Sequence, residues 1–73
     1  MNKNKRAVIH FIKQHRGIRV FNRHWPDGQF IIPDGKYENV AGGYEITGKD
    51  HNKEEVKTII YTQDLFLWEI FYD

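Results

Sequence analysis

Short apolar runs alternate with turn residues along this chain, a pattern typical of antiparallel β-strands. Pro-Asp-Gly at 26–28 and again at 33–35 predicts two turns, and the apolar stretch 30–32 predicts a short strand between them. Farther along, 37–40 and 44–47 flank an Ala-Gly-Gly sequence and are expected to form a tight hairpin. The middle of the chain is therefore predicted to be a series of strands joined by turns.

The first part of the chain fits two structures. Stretches 6–13 and 18–25 are rich in β-branched and aromatic residues, which favours two strands that pair as a hairpin. A helix over 6–15 is the alternative, because Val8 and Ile12 would share one helical face and a glycine follows.

The last part of the chain contains one polar and two apolar stretches. Stretch 48–55 is polar and is predicted to be a loop. Stretch 56–62 is expected to be a strand or, alternatively, the end of a helix over 52–61 that Asn52 caps. Both faces of 65–72 are apolar, which indicates a central strand or one that meets another molecule.

Composition supports a β-rich fold. Ile occurs nine times and Leu only twice, and eleven residues are aromatic, which suits pleated surfaces better than helices. With 73 residues, the chain is expected to be one small domain (1–73) whose first five residues are frayed. We predict a mainly β fold, a single antiparallel sheet or small barrel of about five or six strands, with one short helix at 6–15 or 52–61 as an option. An α+β fold is the alternative.

Charge is segregated along the chain. Residues 1–26 carry seven Lys and Arg side chains and no carboxylate, whereas residues 27–73 carry all ten carboxylates and only four Lys. Such segregation indicates a polarised surface, which bears on partners more than on fold. If the acidic part packs against the basic part, the charges neutralise each other inside the molecule; otherwise the basic part is open for binding.

Several kinds of chemistry are excluded by missing residue types. The chain has no Cys and no Ser, so it cannot build a disulfide, a thiolate metal site, or a Ser or Cys nucleophile. Gly42-Gly43 lacks the helix start and the Lys that a phosphate-binding loop needs. The four His residues show no HxH or HxxxH spacing. We therefore expect no enzyme, no cofactor and no metal site.

The predicted N-terminal hairpin would collect cationic and aromatic side chains on one face. In the expected register Arg6 lies opposite Trp25. His10 likewise lies opposite Phe21. Such a face suits a protein partner or the bases and phosphates of a nucleic acid, whereas the alternative is an ordinary core layer covered by arginine stems. The predicted binding surface consists of Arg6, His10, Arg19, Phe21, Arg23 and Trp25.

The apolar stretch 65–72 offers a second surface. Glu69 is its one charged member and is expected to pair with an arginine of the hairpin, since a buried unpaired carboxylate is costly. The stretch also suits self-association into a homodimer. The residues predicted to support it are Leu65, Leu67, Trp68 and Phe71.

Together these features predict a small non-enzymatic protein-binding module. It would act as a regulator, adaptor or inhibitor of the kind that phages and other mobile elements encode. We expect a protein partner because the chain is rich in aromatic residues and Arg, which are enriched in interface hot spots. Nucleic-acid binding through the basic and aromatic hairpin face is the alternative function. The N-terminal apolar runs are shorter than a signal peptide or membrane span requires, so we expect a cytoplasmic protein without membrane contact.

Overall fold

The computed structural model describes residues 3–72, apart from the side chain of Lys3. Its elements are α1 (Lys3–Gln14), β1 (Val20–Asn22), β2 (Ile31–Val40), β3 (Gly43–Asp50), β4 (Glu55–Tyr61), a 3₁₀ helix (Thr62–Leu67) and β5 (Trp68–Ile70). The strands form one antiparallel sheet in the order β4-β3-β2-β1-β5, so that the last strand returns to pair with the first. The predicted mainly β fold, a five-stranded antiparallel sheet with one short helix, is thereby confirmed.

Residues 6–13 lie in helix α1, so the prediction of a strand and of an N-terminal hairpin is wrong. Val8 and Ile12 are both fully buried on one side of the helix, which packs against β2, β3 and the 3₁₀ helix. The helical alternative is correct because burial of this face outweighs the β preference of Val and Ile. After the helix, Gly17 takes a φ of +77° and its N–H donates to Pro33 O at 2.8 Å. The predicted fraying of residues 1–5 falls partly outside the described residues, and α1 begins at Lys3.

Strand β2 continues through 33–35, where the sequence predicted a turn. The pairing with β3 shifts register between Pro33 and Tyr37, which marks a bulge rather than a chain reversal. Gly35 accommodates the bulge with a φ of +93°. The separate strand predicted at 30–32 is therefore the start of one long strand.

The hairpin predicted around Ala-Gly-Gly is confirmed as the β2–β3 connection. Gly42 takes a φ of +80°, and Val40 pairs with Gly43 across the turn. A side chain on Gly43 would collide with the backbone carbonyl of Ile60, so β3 and β4 approach each other closely there.

Residues 55–61 form strand β4, so the alternative of a helix over 52–61 is wrong. Val56, Thr58 and Ile60 alternate on the side that faces the core, a period of two that a strand satisfies and a helix does not. Strand β3 also extends to Asp50, which leaves a shorter connection than the predicted loop 48–55.

The apolar stretch 65–72 is not a central strand. Its first part completes the 3₁₀ helix, and only Trp68–Ile70 forms a strand, β5, at one edge of the sheet. Because Trp68 turns into the core while Phe71 joins a separate aromatic cluster, both apolar faces of the stretch have packing partners inside the molecule.

The core lies between the sheet and α1. Residues from all the principal elements meet there, and none of the fully buried side chains in the described part of the chain is polar or charged apart from the Tyr and Trp rings. No helix within residues 3–72 is both long and apolar enough to cross a lipid bilayer. The buried core consists of Val8, Ile12, Val20, Ile31, Tyr44, Ile46, Ile60 and Trp68.

Candidate functional site

One edge of β5 is free of strand partners in the described structure. The Phe71 N–H donates to Arg19 O at 2.9 Å, and the Arg23 N–H donates to Leu67 O at 2.8 Å. In an antiparallel pair the backbone groups of successive residues point alternately toward and away from the neighbour. The N–H and C=O of Ile70, which lies between these hydrogen-bonded positions, therefore point away from β1 toward the outer edge. The Trp68 N–H is occupied by Leu65 O.

A groove of about 810 Å³ follows this free edge, and all the residues from 68 to 72 line it. We call it the β5 groove. Its walls also include helix α1 and the connection between β1 and β2. Six aromatic side chains line the β5 groove: Phe11, Phe21, Trp25, Trp68, Phe71 and Tyr72.

Trp68 anchors the inner wall of the β5 groove. Its ring lies 5.1 Å from Trp25 and 6.5 Å from Phe11, both in edge-to-face arrangements. The backbone N–H of Trp25 donates to Asn22 O at 2.9 Å, which holds this residue in place. The Trp68 indole Nε1 is buried and donates to no acceptor among the described residues. This wall is therefore built from packed rings with one unsatisfied donor.

A second aromatic cluster covers the opposite face of the β1–β5 pair. Phe71 lies 5.8 Å from Phe21 and 4.8 Å from Phe30, measured between ring centroids. The Arg19 guanidinium carbon is 5.5 Å from the Phe30 centroid, a cation–π arrangement. Aromatic groups thus flank β5 on both sides.

Charged groups stand at the mouth of the β5 groove. The Arg23 guanidinium donates to Phe66 O at 3.4 Å, which holds the side chain across the start of β5. Asp27 and Glu69 line the same groove and are exposed. The ion pair expected between Glu69 and an arginine is not formed within residues 3–72; Glu69 lies opposite Phe21 in the sheet and projects into solvent.

The structure divides the predicted binding surface into two parts. Arg6 and His10 lie on α1, so the predicted pairings of Arg6 with Trp25 and of His10 with Phe21 are wrong. The remaining four predicted residues lie together near β1. Phe21 and Trp25 contact opposite faces of the sheet, because Phe21 alternates with the buried Val20 whereas Trp25 packs on Trp68. Phe21, Arg23 and Trp25 line the β5 groove, whereas Arg19 lies over the second aromatic cluster.

The predicted self-association residues also differ in position. Trp68 is 6% exposed and belongs to the core, and Leu65 packs against that core. Leu67 and Phe71 are half-buried, Leu67 at the end of the 3₁₀ helix and Phe71 in the outer cluster. Sequence reasoning missed Phe11 and Tyr72 as members of the groove. Phe11 and His15 are four positions apart, a spacing that would place both rings on one face of a helix, and this was the signal available for Phe11. Their ring centroids lie 4.2 Å apart.

Within residues 3–72, the ion pairs of the structure lie inside the acidic part of the chain. Within the described residues, Lys49 pairs with Glu55 at 3.6 Å and Lys57 with Glu45 at 4.0 Å, both inside the acidic part. Arg6 and Lys13 have no carboxylate within 4 Å in residues 3–72 and are exposed. The charges of Arg6 and Lys13 are therefore not neutralised by any carboxylate within the described residues.

Among the described residues, the carboxyl groups of Asp34 and Asp50 have perturbed pKa values, and both lie away from the groove. Backbone N–H groups of Glu54 and Asn52 donate to Asp50 and lower its pKa below the ordinary aspartate value. Burial raises the pKa of Asp34, but a hydrogen bond from Thr47 and one from the Lys36 N–H outweigh it, so the net shift is downward. Asp50 thus holds the β3–β4 connection, and Asp34 links the bulge of β2 to Thr47 of β3.

Residues 3–72 contain no group of three or more His, Asp or Glu side chains placed to hold a metal ion. Comparison of the chain with protein-family models, curated proteins and solved structures finds no match. The β5 groove brings together an open strand edge and six aromatic side chains.

Proposed function

We propose that the protein is a non-enzymatic protein-binding module, and that an extended segment of the partner adds to β5 as a further strand in the β5 groove. The observation that carries this proposal is the outward N–H and C=O of Ile70 on an unpaired edge lined with aromatic side chains. Strand addition of this kind takes its affinity from main-chain hydrogen bonds and its specificity from side-chain pockets.

The composition of the groove supports a peptide partner. Trp25, Phe21 and Tyr72 present large apolar surfaces to alternate side chains of an added strand, and Arg23 provides a fixed cation at one end. Tyr72 is 81% exposed, so its ring is available to a partner. A regulator, adaptor or inhibitor that acts in the cytoplasm is the class of protein we infer from this surface.

Strand addition is tested by removing one backbone donor. A peptide is first selected from a phage-displayed random library on the wild-type protein, and its dissociation constant is measured by fluorescence anisotropy. Ile70→Pro removes the outward N–H and leaves the hydrogen bonds between β1 and β5 intact. We expect this variant to bind the peptide at least about tenfold more weakly than Ile70→Ala, which loses the same side chain but keeps the N–H.

Circular dichroism and urea unfolding of both variants separate binding from folding. Equal affinity of the folded Ile70→Pro and Ile70→Ala proteins would overturn strand addition. A library that yields no peptide with measurable affinity would also count against the proposal.

A further inference from the structure

The outward face of helix α1 carries two cations, Arg6 and Lys13, with His10 between them. Arg6, His10 and Lys13 are spaced by four and three residues and lie on the side opposite the buried Val8 and Ile12. All three side chains are exposed, and the whole helix contains no acidic residue. Arg6 and Lys13 are seven positions apart in the helix, which places them about 10 Å apart along the axis.

The fold leaves this face without an internal partner. Lys5, on the flank of the helix, shows the contrast: its ammonium donates to Asn39 at 2.6 Å and lies over the ring of Tyr44. Arg6 and Lys13 make neither kind of contact and meet no carboxylate within the described residues. Arg16, exposed in the turn after the helix, instead lays its side chain against Gly35 of β2.

The cations at the start of α1 do not serve helix stability. The N-terminal end of a helix carries partial positive charge, so anions stabilise it and cations do not. The first turn of α1 contains no acidic residue, whereas Lys5 and Arg6 lie near that end. Lys13, in the last turn, complements the dipole, whereas the cations at the start of the helix oppose it. Because Arg6 and Lys13 meet no carboxylate within residues 3–72, this face fits an external polyanion.

We propose that this face of α1, consisting of Arg6, His10 and Lys13 with Ala7 and Gln14 beside them, binds duplex DNA in the major groove. A helix with its side chains is about 10–12 Å wide, which matches the major groove of B-DNA at about 12 Å. The major groove of A-form RNA is too narrow for it. Gln14 and Ala7 are exposed on the same face and are of the types that contact adenine and the thymine methyl group.

The test measures binding of a fluorescent duplex DNA of about 20 base pairs as salt rises from about 50 to 200 mM. We expect wild-type affinity to fall steeply with salt, and the double variant R6A/K13A to bind more weakly with a salt slope smaller by about two. Alanine is the best helix former, so both substitutions preserve α1.

The matched control is K49A/K57A, which removes the same charge from exposed lysines on β3 and β4. It should keep most of the wild-type affinity and slope. Absence of DNA binding at about 50 mM salt, or equal losses in the two double variants, would overturn the proposal. Tighter binding to duplex RNA of the same sequence would also overturn it.

This proposal and the proposed function concern different surfaces and fail independently. Ile70→Pro should bind DNA like the wild type, since Ile70 lies in the β5 groove and not on α1. Loss of DNA binding in that variant would show that the DNA site is not the face of α1.

Discussion

Trp68 joins parts of the molecule that are distant in sequence, since its ring contacts both Phe11 of α1 and Trp25 of the β1–β2 connection. We expect Trp68→Ala to lower the free energy of unfolding by about 3–5 kcal/mol, because it leaves a large cavity under the groove. Trp68→Phe should cost less than half of that, since it keeps an aromatic ring and removes an indole N–H that has no described acceptor. Urea unfolding followed by circular dichroism gives both values.

A loss in Trp68→Phe as large as that in Trp68→Ala would contradict this account. It would mean that the indole nitrogen, rather than the packed ring, stabilises the wall. Since small domains have only marginal stability, Trp68→Phe is also the variant that remains measurable if Trp68→Ala does not fold.

At the scale of elements, the β3–β4 connection depends on a charged carboxylate. The backbone N–H groups of Asn52 and Glu54 donate to Asp50, and they hold its pKa below the ordinary value. A depressed pKa in the folded state stabilises the protein above the unfolded-state pKa, and this contribution is lost as the pH falls through the folded-state value. We expect wild-type protein to be more stable than Asp50→Asn at pH 7, and the difference to shrink as the pH falls below the ordinary aspartate pKa of 3.8.

Thermal unfolding of both proteins across that pH range checks the expectation. Asn can still accept hydrogen bonds but carries no charge. Comparison of the wild type with Asp50→Asn therefore isolates the contribution of the negative charge. A difference in stability that does not change with pH would contradict the assignment to the charge of Asp50.

The elements that could be predicted are those whose signal is local. The β2–β3 hairpin is set by the positive φ of Gly42, and the fold class follows from the Ile and aromatic content. Helix α1 is harder to predict from the sequence, because Val8 and Ile12 fit a strand as well as a helix until the sheet that buries them is known. The bulge at Gly35 resembles a turn in sequence, yet the pairing of β2 with β3 continues beyond it.

The candidate site was predictable only in pieces. Phe21, Arg23 and Trp25 were placed in one predicted surface, and Trp68 and Phe71 in another. That they meet around one groove follows from the pairing of β1 with β5, which no local pattern specifies. Arg6 and His10 lie apart from the other predicted residues because the stretch predicted to be a strand forms helix α1.

At the scale of the whole molecule, the question is whether the free edge of β5 is used by a second copy. We expect a monomer in sedimentation velocity at protein concentrations up to about 0.5 mM, because the strand is short and Trp68 is already buried within the chain. A dimer that disappears in Ile70→Pro would instead assign the edge to self-association. A dimer that persists in that variant would also contradict the expected monomer, and its interface would lie on another surface.

The pairing of Val20 with Ile70 also has a consequence for the order in which the molecule assembles. Strands β2, β3 and β4 follow one another through short connections and can pair early, whereas β1 and β5 are separated by about fifty positions. The groove is thus expected to close last during folding and to open first under stress. A strand that binds to β5 would therefore stabilise the least stable strand pairing of the domain. The fraction of fully folded protein would then rise as the groove is filled.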